Sequence, residues 1–404
     1  EEEDEFKFDF DLLDATKIIP EELVPVRRVG KLTLNRNPDN FFAETEQVAF
    51  HTGHVVPGID FTNYPLLQGR LFSYIDTQLR RVGPNFAESP INRPTCTVHN
   101  KQRDGEGRQT INKGRVNYFP NSLANGCPAH SPEGMAAFHS VAEKVEGAKV
   151  RQRSPSFADH HSQATLFWNS MASWEKKHII EAISFELNMV ETKEVRERAV
   201  TAMFAPVADE LAAGIAERIG MPFTPAAGKK AKSKLAKSPA LSMDRGPDAS
   251  IRGRKVAILA ADGVDSRHIA AIKSRLKAEG AICEVIAKVA GTLTGSDGKS
   301  IAVDRPAPNA PSVVYDALIV PGGDASAQAV ASLGVAIHFV AEACAHFKTL
   351  AAIGAGTRVL EKAGVLPSME GVITGDDPQR VLDGLVEGIK KHRHYLRNVD
   401  SIPA

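Results

Sequence analysis

The chain has 404 residues, with 49 basic and 49 acidic side chains and 43% apolar residues. That length gives room for two or three domains, and the balanced charge excludes the one-sided electrostatic footprint of a nucleic-acid or membrane-surface protein. No apolar run approaches the roughly 18 residues of a membrane span, and Cys96, Cys127, Cys283 and Cys344 are too scattered for a zinc cluster or a dense disulfide framework.

The first residues, Glu1-Glu2-Glu3-Asp4-Glu5, carry no initiator Met and read as a solvated start inside a longer precursor. Residues 1–125 are rich in Pro, Asn and Asp. Apolar runs at Val24–Val29, Lys31–Leu34 and Gln47–Phe50 predict short strands between turns. Within this region a helix through Arg70 to Val82 would place Arg70, Tyr74, Thr77 and Arg81 on one stripe. Leu71, Ile75, Leu79 and Val82 would form the opposite stripe, packed on a core. The plain reading of that spacing is an amphipathic helix with a wet Arg/Tyr face. A sharper reading starts from the guanidinium one turn from the phenol, which favours the phenolate form.

Residues 126–163 read as a long wrapping connection, rich in Gly, Pro and Ala in its first part. From Ala164 to Gly220 apolar residues recur at helical spacing, and Gly220 with Pro222 is a stop signal, so 164–223 is a small helical domain. Residues 224–252 hold Lys229, Lys230, Lys232, Lys234 and Lys237 among Pro, Gly and Ser. Without interleaved aromatic residues this is a solvated linker, not a nucleic-acid site.

Residues 253–404 alternate strand and helix patterns. Strands are predicted at Lys255–Leu259, Ala281–Ile286, Ala317–Val320 and Leu350–Ile353. Helices are predicted at Val264–Ala278, Ala327–Phe347 and Gln379–Lys391. Such alternation implies a doubly wound parallel sheet, most simply a flavodoxin-like one. Pro321-Gly322-Gly323 at a strand end lacks the GxGxxG and GxxxxGK[ST] patterns, so a phosphate cradle there is only weakly supported.

The first 220 residues resemble the haem catalases. The resemblance runs through Leu23-Val24-Pro25-Val26, Asn35-Arg36-Asn37-Pro38-Asp39-Asn40-Phe41-Phe42-Ala43-Glu44 and Glu46-Gln47-Val48-Ala49-Phe50. It continues through Pro57-Gly58-Ile59-Asp60, Leu67-Gln68-Gly69-Arg70-Leu71-Phe72-Ser73-Tyr74, Asp76-Thr77-Gln78 and Gly83-Pro84-Asn85-Phe86. Asn100, Gln102-Arg103-Asp104-Gly105 and Asn117-Tyr118 extend it. The C-terminal extension is similar to that of large-subunit catalases.

The resemblance implies an α+β multidomain chain: the second half of an antiparallel catalase β-barrel (1–125), a helical domain, and a C-terminal flavodoxin-like domain. It implies disproportionation of hydrogen peroxide to water and oxygen on a haem of b or d type. Tyr74 would be the iron ligand, Arg70 the residue that keeps it a phenolate, and Arg81 a propionate partner. His51, 23 residues before Tyr74, stands where some large-subunit catalases carry a histidine covalently tied to the ligand tyrosine. The family's peroxide-side histidine, serine and asparagine are expected upstream of Glu1, so His54, His99, His160, His161 and His178 receive no such role.

A homotetramer is expected, with no nucleic-acid or membrane partner. The C-terminal Ser401-Ile402-Pro403-Ala404 is not a peroxisomal address, which leaves the cytoplasm favoured over the exterior. The competing reading is an incomplete catalase without turnover, whose last domain serves assembly, stability or chaperone-like binding. Relatives of that domain place a reactive Cys at a strand-to-helix turn. Here Gly354 occupies that place and no His follows it, Cys344 reads as a buried apolar residue, and Asp265 starts a surface helix.

Overall fold

The computed structural model describes residues 7–56, 58–95, 105–113, 140–142, 144, 146–148, 150, 152–225 and 235–403. Cys96, His99, Asn100, Gln102 to Asp104, Asn117-Tyr118, Cys127, Lys229, Lys230, Lys232, Lys234 and much of the 126–163 connection lie outside them. The chain divides into two compact units, Glu1–Met171 with Ile183–Leu241, and Ala172–Ala182 with Ser242–Ala404.

The first unit holds no β-ladder among its described residues, which corrects the expectation of strands at 24–29, 31–34 and 47–50. Val29 is 91% exposed and Leu34 90% exposed. A strand is stable only with a neighbouring strand to take its backbone groups, and no described segment pairs with these runs in a ladder. The apolar alternation is present; the pairing is not.

Helix α1 (Pro65–Arg81) starts on a proline, whose missing N–H costs nothing at that position. The predicted helical domain follows as α2 (Ser162–Ser170), α3 (Ser173–Asn188), α4 (Lys193–Arg198), a wider turn over Ala199–Phe204, and α5 (Asp209–Arg218). Leu166, Trp168, Val200, Leu211, Ala212 and Ile215 are among its buried residues. Thr165, buried among them, donates to the Val207 carbonyl at 3.1 Å. Gly220 takes φ +68° and closes α5, as its sequence position requires.

The second unit contains β1 (Lys255–Leu259), α6 (Ser266–Ala278), β2 (Ile282–Ala287), β3 (Gly291–Thr294), β4 (Ser300–Val303), β5 (Arg305–Pro306) and β6 (Ala317–Val320). Then come α7 (Asp324–Ala331), α8 (Gly334–Ala345), β7 (Thr349–Ile353), α9 (Thr357–Lys362), β8 (Val372–Gly375) and α10 (Pro378–Lys390). Six strands form a parallel sheet in the order β5-β2-β1-β6-β7-β8, and β3 and β4 pair as a separate antiparallel hairpin.

The sheet is buried on both faces, so its strands read as continuous apolar runs. Val256, Ile258, Ile319 and Ile353 face a core completed by α6 and α10. Ala257, Leu259, Leu318 and Leu350 face one completed by α7, α8 and α9. The single helix expected over Ala327–Phe347 is two, α7 and α8, bent by 84°. The Ser332 hydroxyl donates to the Gln328 carbonyl at 2.8 Å, and Leu333 leaves the helix for an extended conformation. The run breaks just before Gly334, a poor helix former, and resumes from there as α8.

Candidate functional site

On α1 the i, i+4 spacing of Arg70 and Tyr74 brings them together. The Arg70 Nη2 donates to the Tyr74 Oη at 3.2 Å, and its Cζ lies 4.9 Å from the ring centroid. The guanidinium therefore meets the phenol both at its oxygen and over its ring. Tyr74 is half-buried, whereas Arg70 is exposed. The next turn is held by the Thr77 hydroxyl, which donates to the Ser73 carbonyl at 2.8 Å.

Arg81, predicted on the same stripe, turns away to the segment Glu46–Phe50. Its Nη1 donates to the Glu46 carbonyl at 2.6 Å, and its Nη2 donates to the Val48 carbonyl and, at 2.8 Å, to the Gln78 Oε1. The Gln78 Nε2 donates in turn to the Phe50 carbonyl at 2.9 Å. Asn92 holds the same strap from another side, accepting from Ala49 N–H at 2.8 Å and donating to the Gln47 carbonyl at 2.8 Å. Side-chain amides and a guanidinium thus satisfy a backbone run that was expected to be a strand.

The apolar stripe of α1 does not pack as expected. Leu71, Ile75 and Val82 are half-buried, Leu79 is 43% exposed, and the one buried residue of the helix is Gln78 at 5%. Gln78 is the site residue that the sequence reading missed. The signal was there: position 78 continues the Leu71–Ile75 stripe, and a polar residue on an apolar stripe is bonded when buried.

His51 follows the strap directly. Its ring stacks on His54 with centroids 4.7 Å apart, and His54 stacks on Phe86 at 6.0 Å. The His51 Nδ1 accepts from Gly53 N–H at 2.7 Å, which puts the proton of the neutral ring on Nε2. Burial, and then the neighbouring His54, depress the basicity of His51. The structure thus groups Arg70 with Tyr74, and Gln78 and Arg81 with the strap that leads to His51.

In the second unit, strand order reverses between β1 and β6, the point where a doubly wound sheet binds ligands. Here the crevice is stitched by its own groups. Asp265 N–H donates to Gly322 O at 2.9 Å, Ala261 N–H to Ser326 Oγ at 2.9 Å, and Gly322 N–H to His268 Nδ1 at 3.1 Å. Gly323 O accepts from Ala327 N–H at 2.9 Å. Gly322 and Gly323 therefore serve close packing, not a phosphate.

Asp265 caps α6, and its hydrogen bond from Arg267 holds its carboxyl down to about 2. The turn after β7 keeps a left-handed residue, Gly354 at φ +52°, where relatives of the fold place a nucleophile. A side chain at position 322 would collide with the His268 ring of α6 and crowd the Ile353 carbonyl, so only glycine fits there. Cys344 is fully buried, as expected.

Comparison with known proteins places these features in order. Residues 1–125 match the family described as "Catalase", residues 154–219 "Catalase-related immune-responsive", and residues 252–398 the "C-terminal domain found in long catalases". The chain is 48% identical over 402 residues to "Catalase HPII" of Pseudomonas aeruginosa, an alignment covering 98% of this chain and 56% of that protein. It is 50% identical over 398 residues to "Catalase" of Alkalihalophilus pseudofirmus (98% and 57%), and 46% over 406 residues to "Catalase-2" of Bacillus subtilis (99% and 58%). The chain spans somewhat more than half the length of these relatives. Arg70, Tyr74, His51 and the strap all fall in the first matched region, and the doubly wound sheet falls in the last. In its matched regions the chain is thus similar to the catalases, and in the last of them to the long catalases.

Proposed function

We propose that this chain carries the haem-ligand side of a catalase that converts two hydrogen peroxide molecules into two waters and one oxygen. The observation that carries the reading is the Arg70–Tyr74 pair at 3.2 Å inside the segment matched to catalases. A phenol oxygen that accepts from a guanidinium is a supported anionic donor, and that donor type suits ferric iron. Tyr74 would hold the iron and Arg70 would donate to the ligand oxygen, supporting the charge it carries there. A bound haem, of b or d type, would supply the redox chemistry that passes electrons between two peroxides.

Arg81 fits a propionate less directly, because strap carbonyls engage its guanidinium here. Its propionate role requires that it exchange those carbonyls for a carboxylate. His51 belongs to the same reading as a residue beside the ligand, with its neutral ring presenting Nε2–H. Residues 1–125 correspond in this proposal to part of a catalase barrel, and residues 253–404 to a flavodoxin-like domain. Assembly as a homotetramer belongs to it as well.

The test is ferric haem titrated into the 404-residue chain and into Tyr74→Phe, with oxygen evolution followed on both. The reading expects a tyrosinate-ligated ferric spectrum in the parent and its loss in Tyr74→Phe. A Tyr74→Phe spectrum identical to the parent removes Tyr74 as ligand. Ligated haem without oxygen evolution would favour the incomplete-catalase reading.

A further inference from the structure

We propose that Gln78 is a positioning residue: its amide fixes the Glu46–Phe50 strap, and with it His51, against the helix that bears Tyr74. The inference rests on the haem reading for its consequence, but its geometry stands in the haem-free chain. Gln78 lies one turn beyond Tyr74 and is the buried residue of α1. Its two amide atoms are both used, Nε2 toward Phe50 O at 2.9 Å and Oε1 from Arg81 at 2.8 Å. Phe50 is the residue before His51, so the amide takes hold of the strap at the peptide that leads into the histidine.

Arg81 holds the Glu46 and Val48 carbonyls and also donates to Gln78 Oε1, so the amide ties this guanidinium to the Phe50 end of the strap. An apolar residue at position 78 would continue the Leu71–Ile75 stripe but would leave the Phe50 carbonyl without its donor. A flexible strap would then let His51 sample many positions relative to Tyr74. With the amide in place, the histidine is held in register with the ligand helix.

The experiment compares the parent chain with Gln78→Leu and Gln78→Glu. Glutamate keeps the length, the helix propensity and the acceptor for Arg81, but has no N–H for Phe50 O. Without haem, the amide of Ala49 should exchange roughly ten-fold faster in both variants while the amides of α1 stay protected. With haem, the phenolate-to-iron absorption band of Gln78→Glu should shift from that of the parent. Unchanged exchange at Ala49 in both variants overturns the proposal. So does a general loss of protection along α1 in both, because Gln78 would then act on helix stability alone. Faster exchange without a shifted band overturns the link to Tyr74. The haem reading is judged separately by Tyr74→Phe, whose failure would leave the exchange contrast intact.

Discussion

The Arg70 guanidinium donates to the Tyr74 phenol oxygen from one helical turn away, at 3.2 Å. In the haem reading, such a donor would stabilise the negative charge that an oxygen ligand carries on ferric iron. Arg70→Leu should weaken ferric haem retention by roughly ten-fold, the scale of one hydrogen bond to a charged group. Arg70→Lys should recover only part of it, since an ammonium lacks the planar fork and stacks poorly on the ring. Haem titration followed by absorbance checks both, and equal retention in Arg70→Leu and the parent would remove the arginine from the site.

In the second unit Arg397 is 3% exposed, and its guanidinium serves three carbonyls. It donates to Cys344 O at 3.1 Å, Lys348 O at 2.8 Å and Glu370 O at 2.7 Å. Cys344 lies in the last turn of α8, where carbonyls lack helical partners and a cation is favoured. Arg397→Met should destabilise this unit by about 3 kcal/mol, from the loss of three hydrogen bonds given by a buried guanidinium. Arg397→Lys should not rescue it, because a single ammonium cannot reach three divergent oxygens. Denaturant unfolding followed through Trp174, which stacks on Tyr395 at 3.7 Å in the same unit, measures the difference.

The sheet of this unit was legible because its strands are short apolar runs between turn residues, and β1, β6 and β7 fall where the sequence places them to within a residue. The β3–β4 hairpin and β8 were not, since four-residue strands with exposed or half-buried faces carry little periodicity. The α7–α8 break falls at Ser332 and Leu333, inside an apolar pattern that runs on across it. In the first unit the Arg70–Tyr74 pair is local and follows from helix spacing alone. The Gln78–Phe50 and Asn92–Gln47 contacts cross 28 and 45 positions of sequence, and no periodicity reaches that far. Strand patterns at Val24–Leu34 found no ladder, because pairing is a property of two segments and not of one.

Lys348 is buried beside β7, with its Nζ donating to the Ser312 carbonyl at 2.5 Å. Burial, and then the charge of Arg393, pull its pKa down from 10.5 to about 8. The folded state therefore releases this proton more readily than the unfolded chain does. Stability should rise as pH climbs from 8 to 10.5, where the unfolded state still holds the proton. Lys348→Met should abolish that rise and change stability at pH 7 by no more than about 1–2 kcal/mol, because a lost hydrogen bond offsets a relieved buried charge. Denaturant midpoints of both chains across that alkaline range decide it, and a rise that persists in Lys348→Met assigns it to another group.

His394 makes the opposite demand at acid pH. Its ring is buried, its Nε2 lies 3.0 Å from the Thr349 Oγ1, and its Nδ1 has no hydrogen-bond partner. Burial first, then the charges of Arg397, Lys391 and Arg393, lower its pKa from 6.5 to about 4; the Glu370 carboxylate, 3.9 Å from Nδ1, is too distant to offset them. Between those values the unfolded chain binds a proton that the folded chain refuses. The stabilisation from a neutral His394 is thus complete above pH 6.5 and is lost as pH falls toward 4, by about 3 kcal/mol at most. His394→Gln should flatten this part of the curve, since an amide does not titrate there. Unfolding followed through Trp174 from pH 7 to pH 4 would show a shallower decline in the variant. An equal decline in the two chains would mean that carboxylates, and not this imidazole, set the acid limit of the domain.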